Sequence, residues 1–282
     1  MNGFKSESLE YVNSNTKYNA CSFYLNQLYN IKNSTFDNCS FRSDAEFGDL
    51  EHCKFNNCGF SKNFKLSLAC KKLEKIPTYI FQLENLSELN LSSNELSSVP
   101  FEITQLENLS KLNLSSNKLC SLPPGFGQLK NLSELNLSSN ELSSMPFEIT
   151  QLENLLKLNL ASNKLCNLPF EFGQLKNLLE LNLAYHQLET LPPEFGQLKN
   201  LLKLDLSYGE LSTLPSEFGQ LKNLSELNLY SNKLLRTLPS EFRQLKNLSK
   251  LDLERTEIST ELRGFIQWSL PYCTVKEYCD LY

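Results

Sequence analysis

A fixed period of 23 residues constrains this chain more than any other feature. From Leu86 it reads L-S-E-L-N-L-S-S-N-E-L-S-S-V-P-F-E-I-T-Q-L-E-N and begins again at Leu109. The cycle restarts at Leu132, Leu155, Leu178, Leu201 and Leu224, then at Leu248 after one extra residue within Leu234-Leu235-Arg236-Thr237. A degenerate copy (Leu66, Leu68, Leu73, Ile76) precedes the series and a last one ends near Ile258, making about nine copies. A period of this length marks a solenoid, in which each unit is too small to bury its own apolar faces and must stack on its neighbours.

Each copy mixes two periodicities. In Leu86, Leu89 and Leu91 the closing alternation puts leucines on one face of a short strand. Ile103, Leu106 and Leu109 recur every three residues, which suits a 3₁₀-like or helical return segment. Pro100 and its equivalents Pro123, Pro146, Pro169, Pro192 and Pro215 start that return with φ already set. Asn94, Asn117, Asn140, Asn163 and Asn232 share one position, where a buried amide pairs with orphaned backbone groups of the turn. His186 and Gly209 occupy that position in two later copies.

These motifs resemble leucine-rich-repeat proteins of the 23-residue L-x-x-L-x-L-x-x-N-x-L-x-x-L-P-x-x-F-G-Q-L-x-N type. The resemblance is greatest to bacterial members, effector-like ones among them, and extends to eukaryotic Ras-pathway scaffolds. It implies an α/β fold, a right-handed solenoid with a concave parallel sheet and short 3₁₀ or helical convex segments, capped at both ends. It also implies partner binding through the concave side. On this reading residues 1–62 are an N-terminal cap, 63–259 the repeats and 260–282 a C-terminal cap.

The two ends depart from the repeat. In Glu261-Leu-Arg-Gly-Phe-Ile-Gln-Trp-Ser-Leu270, residues Leu262, Phe265, Ile266 and Trp268 space out much like one helical face. Trp268 is therefore expected in the core of the cap, with a final strand after Pro271. Residues 1–62 repeat a small-x-Phe unit at Phe23, Phe36, Phe41, Phe47, Phe55 and Phe60, with five-residue steps at Phe36–Phe41 and Phe55–Phe60. This resembles pentapeptide repeats, while Leu50, Cys53, Phe55, Cys58 and Phe60 equally fit a degenerate leucine-rich coil. Both remain open at this level.

The solvent-facing strand positions read Lys65, Glu88, Lys111, Glu134, Lys157, Glu180, Lys203, Glu226, Lys250. Strands about 4.8 Å apart would set like charges against one another at roughly 1 kcal/mol even in water, so alternation gives a neutral edge. The early face is monotonous in Asn and Ser. Variety enters with Tyr185, His186, Asp205, Tyr208, Tyr230, Asp252, Glu254 and Arg255, and these form the candidate partner-binding set. Tyrosine and arginine give large contact area at low entropy cost.

Composition narrows the function. The chain has 282 residues and a formal charge of −5, which gives no general attraction to nucleic acid or anionic membrane. Neither a membrane-spanning stretch nor an apolar leader is visible. The nine cysteines form an odd set, better read as reduced thiols in a cytosolic compartment than as a disulfide scaffold. Cys53 and Cys58 lack the second ligand pair that zinc requires. His52 and His186, the only histidines, lie in separate regions, which disfavours a nucleophile–base pair. The expected function is a non-enzymatic protein-binding module with no cofactor, metal or small-molecule substrate, acting in a reducing cytosol, a host cytosol after non-Sec export included. A structural or cell-surface repeat protein is the alternative, and a cysteine-dependent enzyme the third reading.

Overall fold

The computed structural model describes residues 2–5, 8–9, 12–24, 27–28, 31–41, 46–47, 53–56, 58–60, 64–83 and 85–276. Leu50 and His52 lie outside them, as does Cys279. The chain divides into two compact units, one of residues 1–118 with 123–132 and one of 119–122 with 133–282.

The first unit begins with ten short strands: β1 (Asn2–Lys5), β2 (Ser8–Leu9), β3 (Thr16–Asn19), β4 (Ser22–Phe23), β5 (Gln27–Leu28), β6 (Thr35–Asp37), β7 (Ser40–Phe41), β8 (Glu46–Phe47), β9 (Lys54–Asn56) and β10 (Gly59–Phe60). The chain deals them in turn to three parallel sheets, β1-β3-β6-β9, β2-β4-β7-β10 and a third holding β5 and β8. Partners in one sheet are 18 or 19 residues apart, as Lys17 beside Thr35 and Thr35 beside Lys54. The five-residue steps in the sequence are thus walks from one sheet to the next. Inside, Tyr18, Phe36 and Phe55 stack at 5.1 and 4.9 Å. Phe23 and Phe41 stack at 4.9 Å and meet the first column edge-on. Aromatic pairs favour both of these arrangements.

The third sheet continues through β11 (Phe64–Ser67), β12 (Leu86–Asn90) and β13 (Lys111–Asn113). Leu28, Phe47, Leu66, Leu89 and Leu112 follow one another in register, so the phenylalanine coils grade into leucine coils without a change of sheet.

The second unit carries β14 (Glu134–Asn136), β15 (Lys157–Asn159), β16 (Glu180–Asn182), β17 (Lys203–Asp205), β18 (Glu226–Asn228), β19 (Lys250–Asp252) and β20 (Thr274–Lys276), each parallel to the next. Helix α1 (Thr260–Ser269) precedes β20. In each complete coil the strand leucines, such as Leu178, Leu181 and Leu183, pack inward with the 3₁₀ residues Phe195 and Leu198, all but fully buried. Pro192, with φ −68°, opens the 3₁₀ turn, and its carbonyl accepts from the Phe195 N–H at 3.0 Å. Between coils the buried asparagines act as backbone substitutes. Asn94 donates to the Leu68 and Leu91 carbonyls at 2.8 and 2.9 Å, and its Oδ1 accepts from the N–H groups of Lys71 and Leu73. One amide thereby satisfies groups on two coils that no regular ladder reaches.

The C-terminal segment corrects one expectation. Ser259 caps α1 by accepting from the Leu262 N–H, and Ile266, Leu270 and Cys273 are buried, but Trp268 is 79% exposed. Helical residues advance about 100° each, so Trp268, two positions from both Ile266 and Leu270, falls on the side opposite the buried row. Its neighbours Phe265 and Tyr272 are exposed as well. The final strand is present as β20, with Leu251 beside Val275. Burial pushes the Cys273 thiol up to about 11. No helix among the described residues is long and apolar enough to cross a membrane.

Candidate functional site

The tyrosines stand at the corner where each strand leaves the sheet. In every coil the strand-ending Asn or Asp folds its side chain over this corner. Asn182 Oδ1 accepts from the Ala184 N–H at 2.9 Å, Asp205 Oδ1 from Ser207 at 2.9 Å, and Asn228 Oδ1 from Tyr230 at 3.0 Å. The next residue but one takes a left-handed conformation, with φ 59° at Tyr185, 53° at Tyr208 and 56° at Arg255. Such angles cost free energy for residues other than glycine, and the neighbouring coil offsets it. Tyr185 N–H donates to the Ser207 carbonyl and Tyr208 N–H to that of Tyr230, both at 2.8 Å. The backbone of each corner is therefore fixed by hydrogen bonds before any side chain is chosen.

On this scaffold the side chains line up. Tyr185 and Tyr208 stack with ring centres 4.2 Å apart and planes 9° from parallel. Tyr230, one residue earlier in its coil, fills the space over the small Ser231 and tilts against Tyr208 at 5.0 Å. The Arg255 guanidinium closes the row 5.5 Å above the Tyr230 ring, within cation–π range. Tyr185 and Tyr208 remain 52% and 42% exposed despite the stack. The Tyr208 hydroxyl beside it, then partial burial, holds the Tyr185 phenol above its ordinary value.

The acidic members of the candidate set are partly engaged in structure. Asp205 accepts from Asn228 Nδ2 at 3.2 Å besides holding its corner, and Asp252 pairs with Lys276 at 3.6 Å. Glu254 is half-buried beside Arg255. His186 is a correction of placement. It lies beneath the corner, 4% exposed, in the inward position that asparagine fills elsewhere. Neither ring nitrogen makes a hydrogen bond. Burial lowers its pKa, and the nearby Leu160 and Asn163 carbonyls, outside hydrogen-bond geometry, oppose that only in part.

Sequence reasoning passed over a second surface feature, the outward leucines Leu156 and Leu202, which are 37% and 40% exposed. The signal was present as Leu-Leu doublets where other copies have Leu-Ser, but doublets read as core. In the first unit, a cleft between two 3₁₀ turns is lined by Ile76, Phe81 and Pro100 with Lys75 and Glu102 at its rim. Eight described cysteines are free thiols. The Cys58 thiol and burial hold Cys39 far above the usual thiol range. Among the described residues no group of three His, Cys, Asp or Glu side chains is arranged to hold a metal ion.

A family model described as leucine rich repeat matches residues 65–119, 107–165 and 199–258. Among solved structures, a Leptospira interrogans leucine-rich-repeat protein is 33% identical with a TM-score of 0.65, covering 92% of this chain and 77% of that one. The leucine-rich-repeat domain of the type III effector XopL is 29% identical with a TM-score of 0.65, covering 72% of each chain. An internalin from Listeria monocytogenes shares the fold at 16% identity and a TM-score of 0.67, covering 98% of this chain and 87% of that one. No curated protein sequence matches.

Proposed function

This chain belongs to the leucine-rich-repeat family, and we propose that it is a non-catalytic protein-binding module whose contact surface centres on Tyr185, Tyr208 and Tyr230. The fold is that of an interaction module, and nothing in it shows catalytic activity. The observation that carries the proposal is the aromatic row itself, ending at Arg255. Rings already stacked lose little side-chain freedom on binding, so contact area comes with a small entropy cost. Serine at the same corners keeps the same backbone, as at Ser162 with φ 56°, so folding does not require the tyrosines.

A partner is first isolated by cross-linked pull-down and mass spectrometry, then titrated against two variants. Tyr185→Ser/Tyr208→Ser/Tyr230→Ser is expected to keep its circular dichroism and to lose about 2 kcal/mol or more per anchor. Ser92→Ala/Ser115→Ala/Ser138→Ala is expected to bind like the parent. Equal binding by the tyrosine variant would move the site off this row. Likeness to an effector repeat domain and the free thiols support binding in a reducing host cytosol. Detection of the chain in the cytosol of infected cells by fractionation tests that placement, and confinement to the bacterial surface overturns it.

A further inference from the structure

The residue after the first leucine of each coil is serine at Ser87, Ser110, Ser225 and Ser249, and its hydroxyl works for the fold. Each donates to a backbone carbonyl of the preceding coil, at 2.8 Å to Phe64 and at 2.9 Å to Ser87, Leu202 and Ser225. Three consecutive coils of the second unit replace it with leucine, at Leu156, Leu179 and Leu202. Their backbones stay in the same ladder, Leu179 N–H to the Leu156 carbonyl and Leu202 N–H to that of Leu179, both at 2.8 Å. The exchange therefore forfeits a hydrogen bond and leaves apolar side chains in water, a half-buried one at Leu179 and two exposed ones. Neither stability nor solubility gains from it.

A second row runs beside the first. Three residues upstream, one-signed charge replaces alternation, as Glu153 is followed by Lys176, Lys199, Lys222 and Lys246, all solvent-facing. Asparagine side chains tie these positions coil to coil, Asn200 donating to the Lys176 carbonyl and Asn223 to that of Lys199, both at 2.9 Å. Like charges at strand pitch repel, unlike the balanced strand ladder where Lys157 pairs with Glu180 at 3.5 Å. Lys222 and Lys246 find neutral acceptors in Gln244 and the Ser269 carbonyl. Among the described residues Lys176 and Lys199 have no side-chain partner.

From these two rows we infer a second docking surface, for an amphipathic helix carrying acidic residues along one flank of its apolar face. The leucines recur at the strand pitch of about 4.8 Å, close to the 5.4 Å pitch at which a helix repeats its apolar side chains. A helix laid across the coils would set successive apolar residues between Leu156, Leu179 and Leu202. Its acidic flank would face Lys176 and Lys199. Charge complementarity of this kind fixes register and partner choice. The surface is independent of the tyrosine row and uses the other end of the same strands.

The full chain is tested against a displayed library of 14-residue amphipathic helices with leucine faces and flanks randomised among Glu, Lys and Ser. Selection is expected to enrich Glu-flanked sequences. A synthetic peptide of the enriched sequence should bind Leu156→Ser/Leu179→Ser/Leu202→Ser and Lys176→Glu/Lys199→Glu about tenfold or more weakly. The serine variant restores the hydrogen-bonding residue of other coils, so it should melt no lower than the parent. No enrichment, enrichment blind to flank charge, or undiminished binding by either variant overturns the inference. So does binding to phosphatidylglycerol vesicles, lost in both variants, without helix binding, since the rows would then meet a membrane.

Discussion

Around Tyr18, Phe36 and Phe55 the chain closes a rung in 18 or 19 residues by walking through three sheets. Around the leucines it takes 23, with one sheet facing a row of 3₁₀ turns. The shorter rung keeps its core full with large aromatic rings and closes its corners with exposed amides, as where Asn33 donates to Asn15 at 3.1 Å. The longer rung uses smaller core side chains and spends its extra residues on a prolyl turn. That turn leaves backbone groups far from any strand partner, and a buried asparagine must satisfy them. The contrast teaches that core content and polar wiring are separable: a parallel coil can rest on either, and the two kinds coexist in one unit.

The largest effect expected from this contrast is in the aromatic column. Phe36 touches Tyr18, Phe23, Phe41 and Phe55 and is fully buried. Phe36→Ala should cost about 3–5 kcal/mol in urea unfolding. A loss under about 1 kcal/mol would show that the rings do not hold the short rungs together.

Next in size is a pair of asparagines. Asn117 donates to the Leu91 and Leu114 carbonyls and accepts from the Leu96 N–H, all in the interior. Asn117→Ala should cost about 2–4 kcal/mol, because several buried groups lose their partner together. Asn33→Ala, at an exposed corner with φ 51°, should cost about 1 kcal/mol or less. Equal losses in the two melts would mean that both rung types depend on their amides alike.

The smallest effect is a gain. Leu142 N–H donates to Asn163 Oδ1 and Leu211 N–H to Asn232 Oδ1, whereas His186 supplies no such bond in its own coil. His186→Asn should add about 1 kcal/mol. It should also flatten a pH dependence. Burial holds the folded imidazole below its ordinary pKa, so the unfolded chain binds the proton first. Stability of the parent is then untouched at pH 8 and falls as pH drops through about 6.5, because protons favour the unfolded state. Parallel melts at pH 7.5 and pH 5.5 measure it, and an identical pH slope in the variant would remove His186 as the cause.

Legibility followed the same division. Leucine coils announce themselves because strand, amide and proline recur together, so any one can vary without hiding the period. The aromatic rungs hid theirs: tyrosine and leucine stand in for phenylalanine at Tyr18 and Leu28, and the step between sheets is five residues from Phe36 to Phe41 but six from Phe41 to Phe47. Tyr185, Tyr208 and Tyr230 were readable as neighbours from coil position alone. The tilt of Tyr230 and the Arg255 closure were not, since they depend on how far each side chain reaches. His186 was misjudged because novelty in composition was weighed above the inward direction that its asparagine equivalents already implied. Trp268 failed for a simpler reason, as a loosely spaced apolar set was taken for one face of a ten-residue helix.

The left-handed corner has a consequence for inheritance. Serine at 162, tyrosine at 185 and 208, serine at 231 and arginine at 255 adopt φ values between 53° and 59°. The backbone bonds that hold them are made by N–H and carbonyl groups that every one of these residues possesses. A mutation at a corner therefore rewrites what the surface presents while leaving the coil's own construction as it was. Duplicated coils start identical and drift apart one corner at a time, so a lineage of such chains can explore new partners without passing through unfolded ancestors.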